Sequence, residues 1–275
     1  MSWQTIAKKD FQDSVRSRTL WGIIGAFVLL IFLLAYLATD GNINSTAGFV
    51  SVIGGAFLFG ILLFVPLTGL FISIKSIVRE RETGTINLLL SLPHSRRDMV
   101  IGKFVGRSAV MSISVIVGFL PACLLILVQA EVTPIFELFA FLLATVFLGL
   151  LFVGIGVGFS ALVNSETQAT VGGVLLFFLL YLWPAIFNIL DIDLPAFLDR
   201  FYLFALFFDM LAAIFSLRED VPNASVVELD GTNFAEASAT SAPIHMQHWF
   251  AFVILGVLIA VPLAVGYIRF DSNDL

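Results

Sequence analysis

Uninterrupted runs of apolar residues, each long enough to cross a lipid bilayer, dominate this sequence. The hydrocarbon core of a bilayer is about 30 Å thick and an α-helix rises about 1.5 Å per residue, so roughly 20 apolar residues span it. Such runs predict six transmembrane helices, at 21–38, 49–74, 108–129, 135–163, 170–190 and 249–268. The second and fourth exceed the minimum length, which predicts tilt or protrusion. The fold class is therefore read as all-α, a single polytopic membrane domain over residues 1–275.

Composition closes the soluble alternative. Of the residues, 59% are hydrophobic and 12% charged, against about 25% charged in an ordinary soluble domain. The first apolar run follows a polar stretch over residues 1–20 and is longer than a signal h-region, so it is expected to remain as a helix. Cys123 is the only cysteine, which excludes an intramolecular disulfide and a multi-cysteine metal site. Pro66, Pro121, Pro184 and Pro262 fall inside spans, where neighbouring helices can re-satisfy the freed carbonyls.

Lys and Arg accumulate on the cytoplasmic side of a membrane. Lys8, Lys9, Arg16 and Arg18 precede the first span, seven cations from Lys75 to Arg107 lie between spans two and three, and Arg269 follows the last. Only Arg200 and Arg218 fall opposite, so both termini are predicted cytoplasmic and the chain a multi-pass protein of the cell membrane. The sequons at Asn44 and Asn223 both fall in predicted external loops.

Residues 1–20 place Trp3, Ile6, Ala7, Phe11 and Val15 on one helical side and Lys8, Lys9, Gln12 and Arg16 mostly opposite, predicting a basic amphipathic helix along the inner membrane surface rather than a frayed tail. The external loop 191–248 opens with an apolar stretch, Phe201 to Leu217, broken by Asp209. A carboxylate in mid-span costs roughly 2.5 to 3.5 kcal/mol, and a seventh crossing would put the C-terminus outside, so this stretch is read as re-entrant or interfacial. His245 and His248 share a helical face but lack a third ligand, and no metal site is assigned there.

No ionisable residue lies deep within the six spans; Glu137 sits at an edge. Ion-coupled carriers ordinarily need buried charged groups to bind the driving ion, so energy must enter elsewhere. Intramembrane proteolysis lacks both an H-E-x-x-H motif and an acidic pair within a span. Gly154, Gly156 and Gly158 in span four, with Gly54 and Gly55 in span two, predict close helix approach, within the chain rather than across a dimer seam.

The densest polar information lies in the predicted cytoplasmic connection 75–107. After Arg79, Glu80, Arg81, Glu82 and Thr83, Gly84 can release the helix leaving the membrane, Thr85 can cap a new short helix, and Pro93 can end it. Ser95 and Asp98 then have the spacing of a capping box. The short helix carries Leu88, Leu89, Leu90 and Leu92, which suits either docking into a groove on a soluble partner or resting on lipid headgroups.

This stretch resembles the signature of permeases of the type-2 ABC exporter family, an E-x-E-x-G-T element followed by a leucine-rich turn, a proline, a Ser/Thr-Arg pair and a Gly-Lys. Here these are Glu80, Glu82, Gly84, Thr85, Pro93, Ser95, Arg96, Gly102 and Lys103. The layout of nearly the whole chain is also similar, most of all to the subgroup resembling the permease for nitrous-oxide-reductase maturation. The resemblance implies a paired permease in which a cytosolic ABC ATPase docks on each copy. Its docking and coupling residues would be Arg79, Glu80, Arg81, Glu82, Thr83, Gly84, Thr85, Leu88, Leu89, Leu92, Pro93, Ser95 and Arg96. ATP and Mg would sit on that ATPase: Gly102-Lys103 is followed by Phe104 and lacks the upstream glycine of a phosphate loop, so this chain is expected to bind no cofactor and catalyse nothing itself. Membrane lipid is a further expected partner and nucleic acid is not. The rival expectation is a non-transporting scaffold that recruits a maturation enzyme through the external loop.

Overall fold

The computed structural model describes residues 3–39, 58–85, 95–129, 135–191, 198, 201–215 and 247–272. Among them are nine helices and no strand: α1 Trp3–Val15, α2 Arg18–Thr39, α3 Leu58–Ser73, α4 Val78–Glu82, α5 Arg96–Gln129, α6 Ile135–Leu162, α7 Glu166–Ile189, α8 Leu203–Phe215 and α9 Phe250–Ser272. The predicted all-α class holds.

Among the described residues five segments are long and apolar enough to span a bilayer: Ile61–Glu82, Arg96–Val128, Leu138–Leu162, Glu166–Phe187 and Phe250–Ser272. The α1–α2 pair, bent by 69°, brings the number to six when counted as one crossing. The predicted second span differs most. Its start lies outside the described residues, and its end runs on through a turn at 74–77 into α4. Also outside them are Leu88, Leu89, Leu92, Pro93, both sequons, His245, Gly54 and Gly55.

The core is built around α6, which packs against α3, α5, α8 and α9. Ala140, Ala144, Leu148, Leu151 and Phe152 are fully buried along its length. Phe27, Phe119, Phe141 and Phe207 continue the core as a chain of rings from α2 through α5 and α6 to α8, with successive centroids 5.9, 5.9 and 5.7 Å apart. At the glycines, backbone approaches backbone most closely between α6 and α9. A Cβ on Gly158 would run into the backbone of Pro262, and one on Gly266 into the carbonyl of Gly158. Lipid tails provide no hydrophobic drive between helices, so this backbone-to-backbone contact, opened by glycine, is what holds the pair. Gly154 and Gly156 likewise face Ile259 and Ser73 of the same chain.

Helix α8 has 13 residues, about 20 Å of rise and too short for a bilayer of about 30 Å. It packs on α6 and α9 with Leu206, Phe207 and Met210 fully buried. Asp209, the charge that broke this apolar stretch, is buried and stands 2.9 Å from Nδ1 of buried His248 at the start of α9. The carboxylate thus meets a polar partner, and the histidine read as a remote metal candidate is that partner. By contrast α7 exposes Val174, Leu175, Phe178 and Leu182, an apolar face that suits lipid.

Helix α1 buries a different face from the one its amphipathicity suggests. Ala7, Asp10 and Ser14 are buried, whereas Trp3, Phe11 and Val15 stay half-buried or exposed. The cause lies in α5: Gly102 lies against Ile6 and Trp3, and Gly106 against Ala7 and Asp10, so this contact accepts the small residues and the acid. Ile6 and Phe11 are left half-buried at the edge of this contact, and Trp3 is exposed.

Candidate functional site

Ionisable side chains gather at one end of the bundle, where α1, α4, the first turns of α5 and α7, and the last turns of α6 and α9 converge. At its centre Lys103 Nζ lies 2.8 Å from Asp10 Oδ1 and 2.5 Å from Glu80 Oε1. Arg107 adds Nε at 2.8 Å from Asp10 Oδ2, with Nη2 donating to Oδ1 at 3.2 Å. Asp10 and Lys103 are both more than nine-tenths buried. One buried carboxylate with two cations thereby joins α1 to α5, and Lys103 extends the join to α4. Charges that deep persist only when paired and hydrogen-bonded.

The break between α3 and α4 has its own chemistry. The backbone N–H groups of Ile77 and Val78, which lack helical acceptors at the break, both donate to Ser160 Oγ of α6, at 3.0 and 3.1 Å. At the other end of α4, Thr83 Oγ1 donates to the carbonyl of Arg79 and Gly84 adopts φ +69°, the left-handed conformation that stops a helix and favours glycine. The release predicted at Gly84 is present.

Two arginines of the predicted docking set turn inward. Arg81 donates to the carbonyls of Val163 and Ala161 at 2.7 and 3.3 Å and to Asn164 Oδ1 at 2.9 Å, which caps the C-terminus of α6. Arg96 donates to the carbonyls of Phe270 and Asp271 at 2.5 and 2.9 Å near the end of α9. A cation at a helix C-terminus complements both the orphan carbonyls and the helix dipole. The two guanidinium groups also share the buried ring of Phe270, at 5.2 and 5.5 Å from its centroid.

The remaining members fall into two groups. Glu80 is half-buried on Lys103, and Glu82 Oε1 accepts the backbone N–H of Glu166 at 2.9 Å at the start of α7. Arg79, Thr83, Gly84 and Thr85 are outward-facing; the Arg79 side chain is 71% exposed. Ser95 and Asp98 form the predicted capping box: Ser95 Oγ accepts from Asp98 N at 3.0 Å, and Asp98 Oδ2 accepts from Ser95 N at 3.3 Å.

Sequence reasoning missed Asp10, Lys75 and Glu166. Glu166 receives Lys75 Nζ at 3.1 Å and Arg79 Nε at 3.7 Å. A signal for Asp10 was available, because it falls on the Trp3, Ala7 and Ser14 register of α1 rather than on the lysine side. Nothing local marks Glu166, whose partners are 91 residues away in the chain for Lys75.

A multi-pass helical membrane protein whose polar chemistry is concentrated at one end of its bundle is the class that fold and site define. The chain belongs to the ABC-2 family transporter proteins, whose family model matches residues 4–275. It is similar to the "Probable ABC transporter permease protein NosY" of Stutzerimonas stutzeri, with 32% identity over 170 residues, 60% of this chain and 61% of that one. The protein of the same description from Pseudomonas aeruginosa is 30% identical over 171 residues, 60% of this chain and 62% of the relative. The matched stretch thus spans about three-fifths of each curated relative.

Proposed function

We propose that this chain is the membrane-spanning permease subunit of an ABC transporter, an exporter driven by a separate cytosolic ATPase that carries the ATP and Mg. Membership of the ABC-2 family supports this, as does similarity to proteins described as probable permeases. The observation that carries the coupling mechanism is the way the Arg79–Thr85 and Ser95–Arg96 segments are fastened. Arg81 holds the end of α6, Arg96 holds the end of α9, Glu82 holds the start of α7, and Glu80 reaches α1 through Lys103.

In this reading the ATPase meets the outward-facing residues, Arg79, Thr83 and Thr85, together with Leu88, Leu89 and Leu92. Arg81 and Arg96 pass the displacement to α6 and α9. A push on the segment cannot leave those helices in place without breaking charge-assisted hydrogen bonds, which are roughly twice as strong as neutral ones. Two copies of the chain pair in the cell membrane, each with its termini in the cytoplasm and each bound by one ATPase. The cation-bearing end then faces the ATPase, in accord with the positive-inside rule.

The test is co-purification of the chain with an ABC ATPase expressed beside it, followed by ATP turnover in liposomes. Stimulated turnover is the expected result. A chain that purifies alone and leaves turnover unchanged points instead to the scaffold role.

A further inference from the structure

A cavity of about 600 Å³ opens between α1, α2, α3, α5 and α7 at the cation-bearing end of the bundle. Its lining grades from polar to apolar in one direction on every long helix that borders it. Along α7 the order is Glu166, Thr170, Val174, Phe177; from Lys75 in the turn after α3 back into that helix it is Lys75, Phe71, Leu67; from Ser17 just before α2 into that helix it is Ser17, Leu20, Ile23. From Ser73, at the end of α3, to Leu67 is about 9 Å of helix rise. The apolar part is open sideways, since Phe71, Val174 and Leu67 are 61%, 50% and 42% exposed. In a membrane protein that opening meets acyl chains.

The polar part is short of negative charge. Lys75, Arg79 and Arg107 line it against the single carboxylate of Glu166. In the adjoining ion pairs four cations, Lys75, Arg79, Lys103 and Arg107, meet Asp10, Glu80 and Glu166, while Glu82 outside the lining is taken up by the backbone N–H of Glu166. Arg79 is the least committed of them: its Nε is 3.7 Å from Glu166, beyond hydrogen-bond range, and its side chain is 71% exposed.

We propose that this cavity holds one anionic phospholipid, its phosphate on Lys75 and Arg79 and an acyl chain along Phe71, Val174 and Phe177. A zwitterionic lipid would bring its own cation to a site already rich in cations. A free phosphate would leave the apolar walls wet. The site goes beyond the proposed function: Arg79, which borders the ATPase-facing surface in that reading, also lines this cavity, and a chain without transport activity would still bind the lipid.

The full-length chain, purified and delipidated in detergent, would be titrated with phosphatidylglycerol, phosphatidylcholine or sn-glycerol 3-phosphate and followed by native mass spectrometry. One phosphatidylglycerol per chain should be retained, about fivefold more tightly than phosphatidylcholine, the weight of one basic side chain at an anionic lipid surface. Arg79→Gln should remove about that fivefold preference. Val174→Trp, which fills the apolar part and leaves the cations untouched, should weaken phosphatidylglycerol binding. Equal retention of the two lipids overturns the proposal, as does displacement of phosphatidylglycerol by an equal concentration of glycerol phosphate, which would mark a site for free anions. So does efficient disulfide cross-linking between copies through Val174→Cys in a Cys123→Ala background with lipid present, which would make the cavity an interface between two chains.

Discussion

Lys103 and Asp10, 93 residues apart in the chain, meet at 2.8 Å with side chains 8% and 3% exposed. The pair adds a charged anchor to the close packing of α1 on α5 at Gly102 and Gly106. Removing one member of a buried ion pair leaves the other charge uncompensated, at a cost of about 3–5 kcal/mol. Asp10→Asn should therefore unfold at distinctly lower SDS fraction than the wild type, with Lys103 and Arg107 left facing a neutral amide. Glu166→Gln, whose cations are more exposed, should shift the same curve by less than about 1 kcal/mol. Equal shifts would mean that Asp10 is not the anchor.

The α6–α9 crossing depends on having no Cβ at Gly158. Gly158→Leu must move one backbone away from the other, and overpacking of this kind costs about 1–3 kcal/mol. Gly256, on α9 with open space around its Cβ position, is the control: Gly256→Ala should be neutral or mildly stabilising through helix propensity. Thermal unfolding of the two variants in detergent compares them directly. A harmless Gly158→Leu would show that the helices do not touch there.

These two features differ in how far the sequence revealed them. The glycine-rich stretch of α6 announces close packing because glycine spacing is local, although its partner helix is not named by it. The apolar runs are equally local, which is why the all-helical, multi-span class was legible. The break at 74–77 was not, because it depends on Ser160 of another helix accepting Ile77 N and Val78 N. Arg81 and Arg96 stood out in the sequence as members of the charged segment, but their partners in the fold did not. A sequence shows that a cation follows a span, and only the fold shows that its nearest unsatisfied carbonyls belong to α6 and α9. The Ser95–Asp98 capping box was read correctly, since both partners sit within one turn.

Asp209 and His248 give a test of the short helix α8. Each is buried and 2.9 Å from the other, so replacing either removes a buried hydrogen bond, at a cost of about 0.5–1.5 kcal/mol. His248→Ala should loosen α8 from α9. A cysteine at Ala212, which is 7% exposed, placed in a Cys123→Ala background, should react with maleimide slowly in the parent and several-fold faster when His248→Ala is added. Unchanged reactivity would show that packing on α6 alone holds the helix.

Membrane sidedness follows from the same layout. Thr83 is exposed at the cation-bearing end, and Trp249 is 49% exposed at the opposite end of α9 from Arg269. In intact cells an impermeant thiol reagent should label Trp249→Cys and reach Thr83→Cys only after permeabilisation, both in the Cys123→Ala background. The reverse pattern would invert the orientation and place the ATPase on the wrong side of the bundle.

Phe270 separates transmission from docking. Its ring is fully buried, Arg81 and Arg96 lie over it at 5.2 and 5.5 Å, and its carbonyl accepts from Arg96. If Arg96 acts by contacting the ATPase, losing Phe270 should add its own independent penalty to the loss of Arg96. If Arg96 acts through the end of α9, the two changes remove the same joint and their effects should overlap, because coupled neighbours are non-additive while independent sites add within about 0.3–0.5 kcal/mol. The measurement is a double-mutant cycle of Arg96→Gln and Phe270→Leu, with ATPase stimulation and ATPase affinity read separately on the assembled complex. Transmission through α9 requires near-normal affinity, reduced stimulation in each single variant, and a double variant little worse than either. Weakened affinity in Arg96→Gln, with strictly additive losses in the double variant, would move Arg96 to the docking surface.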